Sequence, residues 1–294
     1  MGGYTYEYEL PVTFPATPRV AFSALSEAGV LARWFAQNVE IDPRIGGAFR
    51  FWGAHTFGAQ RAEQATQKIL AYDPPRSLSF SWRFLDQDTE VTWSLCADGD
   101  NGSRITVRHF FPAAPEGVRV KEMIDDLWRL YTGNLGVYLK GGRDFYLPDF
   151  DDPSPQVVQE IVIDAPPEKV FAALTRPELI SKWFPAPAPV VEPRVGGKYG
   201  FGFSYKVDGV TVEPPPMTIL AFEQNKTLSI TWPDWRGDAN VPDQSVTWTL
   251  EALGGGRTRL VLVHAGFVRS MDVSDYPFGW GEFMGKIGEV ACAG

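Results

Sequence analysis

Three histidines hold most of the acid–base chemistry this sequence offers near neutral pH: His55, His109 and His264. His109 and His264 stand in matching contexts. Each ends a run with apolar residues at every second position, Ile105, Val107, His109 and Leu260, Leu262, His264. Both imidazoles are therefore expected to point with the apolar side chains into a core or cavity. There an imidazole could exchange a proton with a bound substrate. The alternative is a core histidine satisfied by a backbone carbonyl or a water. No sequence neighbour completes a catalytic set, which favours the structural role, so His109 and His264 stand as the sole weak catalytic candidates. His55 follows Phe51-Trp52-Gly53-Ala54 and reads as a surface-loop histidine. Neither HExxH nor a Cys-x-x-Cys pair occurs, and Cys96 and Cys292 are far apart. No metal site and no disulfide framework are expected. GxSxG, Walker and GxGxxG patterns are absent too, so no cofactor is expected; Gly254-Gly255-Gly256 before Arg257 reads as a hairpin loop.

The other candidates are aromatic. The chain holds 10 Trp, 10 Tyr and 20 Phe, and pockets for small molecules are lined mainly by apolar and aromatic side chains with a few polar groups. The candidate ligand-binding set is Trp34, Phe51, Trp82, Trp93, His109 and Trp128 in the first half, with Trp183, Phe201, Phe203, Tyr205, Trp232, Trp248, His264 and Trp280 in the second. Most fall on apolar phases, where large rings also build ordinary cores. Sequence does not divide lining rings from packing rings. Glu63, Lys68, Lys206 and Glu213 fall in mid-repeat segments, where they read as solvated positions near a cavity mouth.

The elements that must position these residues occur twice. Leu31-Ala-Arg-Trp34-Phe35 resembles Ile180-Ser-Lys-Trp183-Phe184, with the Trp pair 149 residues apart. Pro43-Arg44-Ile-Gly46-Gly47 matches Pro193-Arg194-Val-Gly196-Gly197 at an offset of 150, and Val91-Thr92-Trp93 matches Val246-Thr247-Trp248 at 155, as Arg104 and His109 match Arg259 and His264. Each repeat is domain-sized, and the drift in offset fits loop insertions. The acidic, proline-rich stretch between Pro148 and Gln156 reads as a linker, giving domains 1–148 and 156–294 joined by residues 149–155. Period-two runs such as Leu78, Phe80, Trp82, Phe84 predict an antiparallel sheet with one buried face. Thr17-Pro18 and Ala165-Pro166-Pro167 open short helices, and a second short helix ends at Trp34 and at Trp183. A final helix spans about Glu116 to Lys140, and in the second half Phe278 to Ala291. On it Gly133 and Gly136 match Gly285 and Gly288, leaving one face bare either for close packing or for a ligand.

Composition removes several classes. Net charge is −9, which disfavours nucleic acid and anionic membrane surfaces as partners. No apolar run is long enough for membrane insertion, and no basic-then-apolar leader opens the chain, so the cytoplasm is the expected location.

The order of a strand, two short helices ending in Trp-Phe, a Pro-Arg-x-Gly-Gly turn, a strand meander with Asp73-Pro74-Pro75-Arg76, an Arg-x-x-x-x-His strand and a Trp-led last helix resembles a known family. It is similar to the relatives of activator of Hsp90 ATPase homologue 1 within the START/Bet v1-like (SRPBCC) superfamily, in two tandem copies. The resemblance implies an α+β helix-grip fold in each copy: a curved antiparallel sheet around a long C-terminal helix, with an apolar cavity between. It implies a hydrophobic or aromatic small molecule as partner, in a carrier or sequestration role. A cyclase, dehydratase or hydrolase acting on such a molecule, and a protein-interaction or stress module, are the alternatives. Related single domains pair, so the tandem is expected to form an intramolecular pseudo-dimer. The copies also differ: Phe222-Glu223-Gln224-Asn225-Lys226 replaces the Asp-Pro-Pro-Arg turn, and His109-Phe110-Phe111-Pro112 stands against His264-Ala265-Gly266-Phe267.

Overall fold

Alternating burial along each strand fixes which side chains meet. In a computed structural model that describes residues 5–117, 119–207, 210–212, 216–234, 236 and 240–293 (side chains of 205–212 excepted), β-branched and aromatic residues form antiparallel strands at the expected places. The first copy runs β1 (Tyr6–Phe14), α1 (Pro18–Ser26), α2 (Ala28–Trp34), β2 (Asn38–Ile41), β3 (Phe49–Trp52), β4 (Ile69–Asp73), β5 (Ser77–Phe84), β6 (Gln87–Asp98), β7 (Gly102–Phe111) and α3 (Val120–Leu139). The second runs β8 (Gln156–Ile163), α4 (Pro167–Thr175), α5 (Pro177–Trp183), β9 (Val190–Val191), β10 (Lys198–Gly200), β11 (Tyr205–Val207), β12 (Val210–Val212), β13 (Met217–Glu223), β14 (Thr227–Trp232), β15 (Gln244–Gly254), β16 (Arg257–Ala265) and α6 (Tyr276–Ala293). The sheets order as β1-β7-β6-β5-β4, with β2-β3 as a separate pair, and as β8-β16-β15-β14-β13-β10-β9. In each copy the long last helix packs on the first strand and on the short helices. This is the tandem helix-grip arrangement.

Two compact units divide the chain: Met1–Pro153 together with Arg269–Asp275, and Ser154–Val268 together with Tyr276–Gly294. Within the first unit the expected linker is held at its start. Asn134 grips the backbone of Tyr146, donating to its carbonyl at 2.7 Å and accepting from its N–H at 2.9 Å. His55 Nδ1–H donates to the Pro148 carbonyl at 2.9 Å, and the Phe150 N–H to that of Ala54 at 3.1 Å. Acidic, proline-rich composition hides the one ring in this stretch with somewhere to go: Phe150 meets Phe57 edge-on at 6.0 Å. Met271, from the short segment between β16 and α6, is buried in the first unit's core.

The Pro-Arg-x-Gly-Gly turn is structural in both copies. Gly46 and Gly196 sit at φ +79 and +75, where a side chain is disfavoured. The turn is stitched to the next strand by Gly46 N–H to Ile69 O and Ile69 N–H to Gly47 O, repeated by Gly196 and Ile219 and by Ile219 and Gly197. A Cβ on Gly47 would overlap the carbonyl oxygen of Asp42, and one on Gly197 that of Glu192. Gly47→Ala or Gly197→Ala is therefore expected to cost roughly 2–3 kcal/mol, the upper range for a backbone effect, read as a drop in the urea midpoint; an unchanged midpoint would refute the close-approach account.

The glycine face of the last helices is also mostly packing. A Cβ on Gly136 would lie 3.3 Å from Phe14, and one on Gly288 3.5 Å from Ile163 of β8, whereas Gly285 faces open space. The first of these helices starts later than expected. Gly117 at φ +121 and Arg119 at φ +55 break the helical path, so α3 begins at Val120 rather than Glu116.

Candidate functional site

His109 sits on β7 between Tyr8 of β1 and Val91 of β6, and His264 on β16 between Val157 of β8 and Val246 of β15. Both are 0% exposed, as the strand phase predicts. Each ring is held at both nitrogens. Trp128 Nε1–H donates to His109 Nδ1 at 3.3 Å, and Trp280 Nε1–H to His264 Nδ1 at 3.0 Å. An indole N–H only donates, so Nδ1 must be the acceptor and Nε2 carries the hydrogen in both rings. His109 Nε2–H then donates to Thr89 Oγ1 at 2.8 Å, whose own hydrogen goes to the Trp82 carbonyl at 2.6 Å. His264 Nε2–H donates to Gln244 Oε1 at 2.7 Å. Burial favours the neutral form and pushes both imidazoles down to about 3. These are satisfied core histidines, fixed as one neutral tautomer, with no free nitrogen for proton transfer.

The partners were legible in principle. Thr89 and Gln244 lie 155 residues apart, the offset of the histidines, and each is a polar residue on the apolar phase of its strand. Trp128 and Trp280 match at 152. A polar residue repeated in phase with a repeated histidine and a repeated Trp signals a buried hydrogen-bonded triad.

The rings of the first unit pack on each other. Trp34, Phe51, Trp82, Trp93 and Trp128 are each at most 1% exposed. Phe51 meets Trp82 at 5.2 Å, Trp82 meets Trp128 at 6.0 Å, and Trp93 meets Phe80 at 5.1 Å, at steep angles typical of packed aromatics. Trp34 donates to the Ala24 carbonyl at 3.2 Å and so ties α2 to α1. These five and His109, expected as ligand contacts, are packed against neighbouring rings in this structure. Phe84 and Phe111 complete the seal, 5.0 and 4.3 Å from His109.

The second unit departs at those same places. The counterparts of Phe84 and Phe111 are Asp234 and Gly266, at the offsets of their strands. Neither position carries a ring in the second copy. Tyr276 and Phe267 approach it instead, at 4.5 and 4.6 Å. Trp232, the counterpart of the buried Trp82, is half-buried and turned 65° from His264, with its indole N–H donating to Tyr276 Oη at 3.0 Å. Phe203 is 36% exposed, and Tyr276 and Phe283 are half-buried. They join a continuous ring network: Phe184 on Phe201 at 4.0 Å, Phe184 on Phe203 at 5.4 Å and on Phe283 at 4.6 Å, Trp232 on Trp280 at 5.0 Å. Trp183, Trp248 and Trp280 are buried behind it, and Trp183 repeats the tie of Trp34 by donating to Ala173 O at 2.8 Å. Sequence reasoning missed Phe184, Tyr276 and Phe283 as members of this cluster. The side chain of Tyr205, like those of Lys206 and Glu213, lies outside the described residues. Glu63 and Lys68 are exposed, and Glu63 pairs with Arg61.

Among the described residues no group of three or more His, Cys, Asp or Glu is placed to hold a metal ion, and no helix is long and apolar enough to cross a membrane.

Comparison with curated proteins finds no match. Among solved structures, protein MLL2253 from Mesorhizobium loti is 31% identical over 46% of this chain and 96% of its own, with a TM-score of 0.37. DynU16, described as a putative protein in the dynemicin biosynthetic locus, is 18% identical over 97% of this chain and 98% of its own, TM-score 0.41. BexL, a di-domain ARO/CYC from the BE-7585A biosynthetic pathway, is 12% identical over 98% and 99%, TM-score 0.39. The family described as activator of Hsp90 ATPase homolog 1-like protein matches residues 15–140 and again 164–291. Those two matches take in both histidine triads, the whole of α3 and all but the last two residues of α6, and the chain belongs to that family.

Proposed function

We propose that the second unit binds a hydrophobic or aromatic small molecule at the cluster of Phe184, Phe201, Phe203, Trp232, Tyr276 and Phe283, without catalysing its conversion, and that the first unit is the filled, structural copy. The carrying observation is that Trp232 is half-buried where its counterpart Trp82 is enclosed, in the copy where Asp234 and Gly266 stand in place of the rings Phe84 and Phe111. Phe184 and Phe201 are buried at the back of this cluster, while Phe203, Trp232, Tyr276 and Phe283 keep part of their rings accessible, and apolar aromatic surface grouped in one place suits a small-molecule site. A binding role fits His264 better than a catalytic one, because both its nitrogens are occupied and burial keeps it neutral.

Titration of the whole chain with the neutral fluorophore N-phenyl-1-naphthylamine tests this. Saturable binding is expected. Trp232→Ala should weaken it about tenfold or more, the equivalent of losing roughly 1.5 kcal/mol of apolar contact. Phe203→Ser, at an exposed position where folding is little affected, should weaken it in the same direction. Absence of saturable binding, or unchanged affinity in both variants with native circular dichroism, would overturn the assignment.

A further inference from the structure

An opening lies in the first unit, lined by none of the three histidines. A groove of about 330 Å³ runs between the short helices and the end of α3, lined by Val20, Arg33, Tyr138, Leu139, the Gly141-Gly142 turn and Arg143. Three features set it apart from ordinary surface.

The first is charge. The protein carries a net charge of −9, yet both arginines that face this groove lack a carboxylate partner among the described residues. Arg33 is instead placed over the Tyr138 ring, 5.0 Å from its centre. A guanidinium over a ring face is held by the ring's π-electrons and not by a hydrogen-bond acceptor, which leaves N–H groups to offer an oxyanion.

Backbone chemistry is the second. The carbonyls at a helix C-terminus usually compete for nearby cations. Here three of them are already taken: Lys140 N–H reaches Gly136 O, Gly141 N–H reaches Tyr138 O, and Gly142 N–H reaches Val137 O. Gly141 has φ +79, and a Cβ on Gly142 would collide with Val137, so this tight glycine turn sets where Arg143 begins.

Third, the wall between the arginines is apolar. Val20 is 54% exposed on α1, and Leu139 and Tyr138 are half-buried beside it.

We propose that this groove binds a small amphiphilic organic anion, a carboxylate or phosphate monoester whose oxygens take the Arg33 and Arg143 guanidiniums and whose apolar tail lies on Val20 and Leu139. Arginine's planar fork suits such oxyanions, and each charge-assisted hydrogen bond adds orientation as well as affinity. The site is separate from the aromatic cluster of the second unit and does not depend on it.

Methyl-detected NMR titration of the full chain tests the proposal, with octanoate, octyl phosphate, octanol and acetate as probes. Octanoate or octyl phosphate, or both, should shift the Val20 and Leu139 methyl signals saturably, and which of the two binds tighter identifies the headgroup. Octanol and acetate should each bind about tenfold more weakly, because each lacks one half of the contact. Arg33→Gln and Arg143→Gln, both exposed, should each weaken octanoate about five- to tenfold, and raised salt should act in the same direction. Equal binding of octanol and octanoate, shifts confined to other methyls, absence of shifts at Val20 and Leu139, or full affinity in the double arginine variant would each overturn it.

Discussion

Lowering the pH from 7 to 5 is expected to cost each unit about 2 kcal/mol of stability through its buried histidine alone, at about 1.4 kcal/mol per pH unit below the unfolded value. His109 and His264 are pushed from 6.5 down to about 3 by burial. The unfolded chain therefore takes up a proton at each site as the pH falls through 6.5, while the folded chain does not until about 3. The state that binds more protons gains, so the contribution is fully present above 6.5 and is lost progressively between 6.5 and 3. Exposed carboxylate pairs such as Arg76–Asp73 and Arg259–Glu160 hold their acids below the usual range, so what those pairs contribute is lost at lower pH than the window from 6.5 to 5. Protonation at Nδ1 would also set two donors face to face with the Trp128 or Trp280 indole. Hydrogen exchange followed by mass spectrometry reads each unit separately at pH 7, 6 and 5. His109→Gln should flatten the pH slope in peptides of the first unit only, and His264→Gln in those of the second. A wild-type slope near zero over this window, or one untouched by both variants, would show that the rings titrate normally.

Repetition made the fold legible, and the details of the site were legible only where a residue type announces its neighbours. Strand phase placed His109 and His264 inward, and Pro18 and Pro167 opened their helices as read. The Trp34 and Trp183 helices end where expected, because both the pattern and the packing of these elements are local. Whether a ring lines a cavity or fills one is set by residues far away in sequence. Trp82 is enclosed with Phe84 against it and Phe111 beside His109, whereas Trp232 is half-buried in the copy that carries Asp234 and Gly266 at those positions. That comparison needs the register of three strands. The contact made by Phe150 was illegible for a related reason: the proline-rich, acidic composition around it outweighs a single ring, and its receiver, Phe57, is far away in sequence.

Trp82→Ala and Trp232→Ala are expected to have opposite profiles, and the contrast probes the division of labour between the copies. Trp82 is 1% exposed and touches Phe51, Phe84 and Trp128 at 5.1–6.0 Å while stacking parallel to His109 at 5.8 Å. Truncation leaves a large cavity among rings that cannot collapse into it, costing about 3–5 kcal/mol. Its indole nitrogen is buried with no hydrogen-bond partner among the described residues. Trp82→Phe, which keeps most of the ring and removes that orphan donor, should therefore cost less than about 1.5 kcal/mol. Trp232 is half-buried, so Trp232→Ala forfeits less apolar burial and one hydrogen bond to Tyr276, about 1–2 kcal/mol in all. Local stability from hydrogen exchange in each unit, set beside N-phenyl-1-naphthylamine affinity, gives the test. The first-unit variant should lose stability and retain the probe; the second-unit variant should retain most of its stability and release the probe. If Trp232→Ala destabilised its unit as severely as Trp82→Ala does, the second cluster would be a core like the first. A position that one copy uses to close its interior and the other leaves turned outward can then be read as the point where the two copies parted in function.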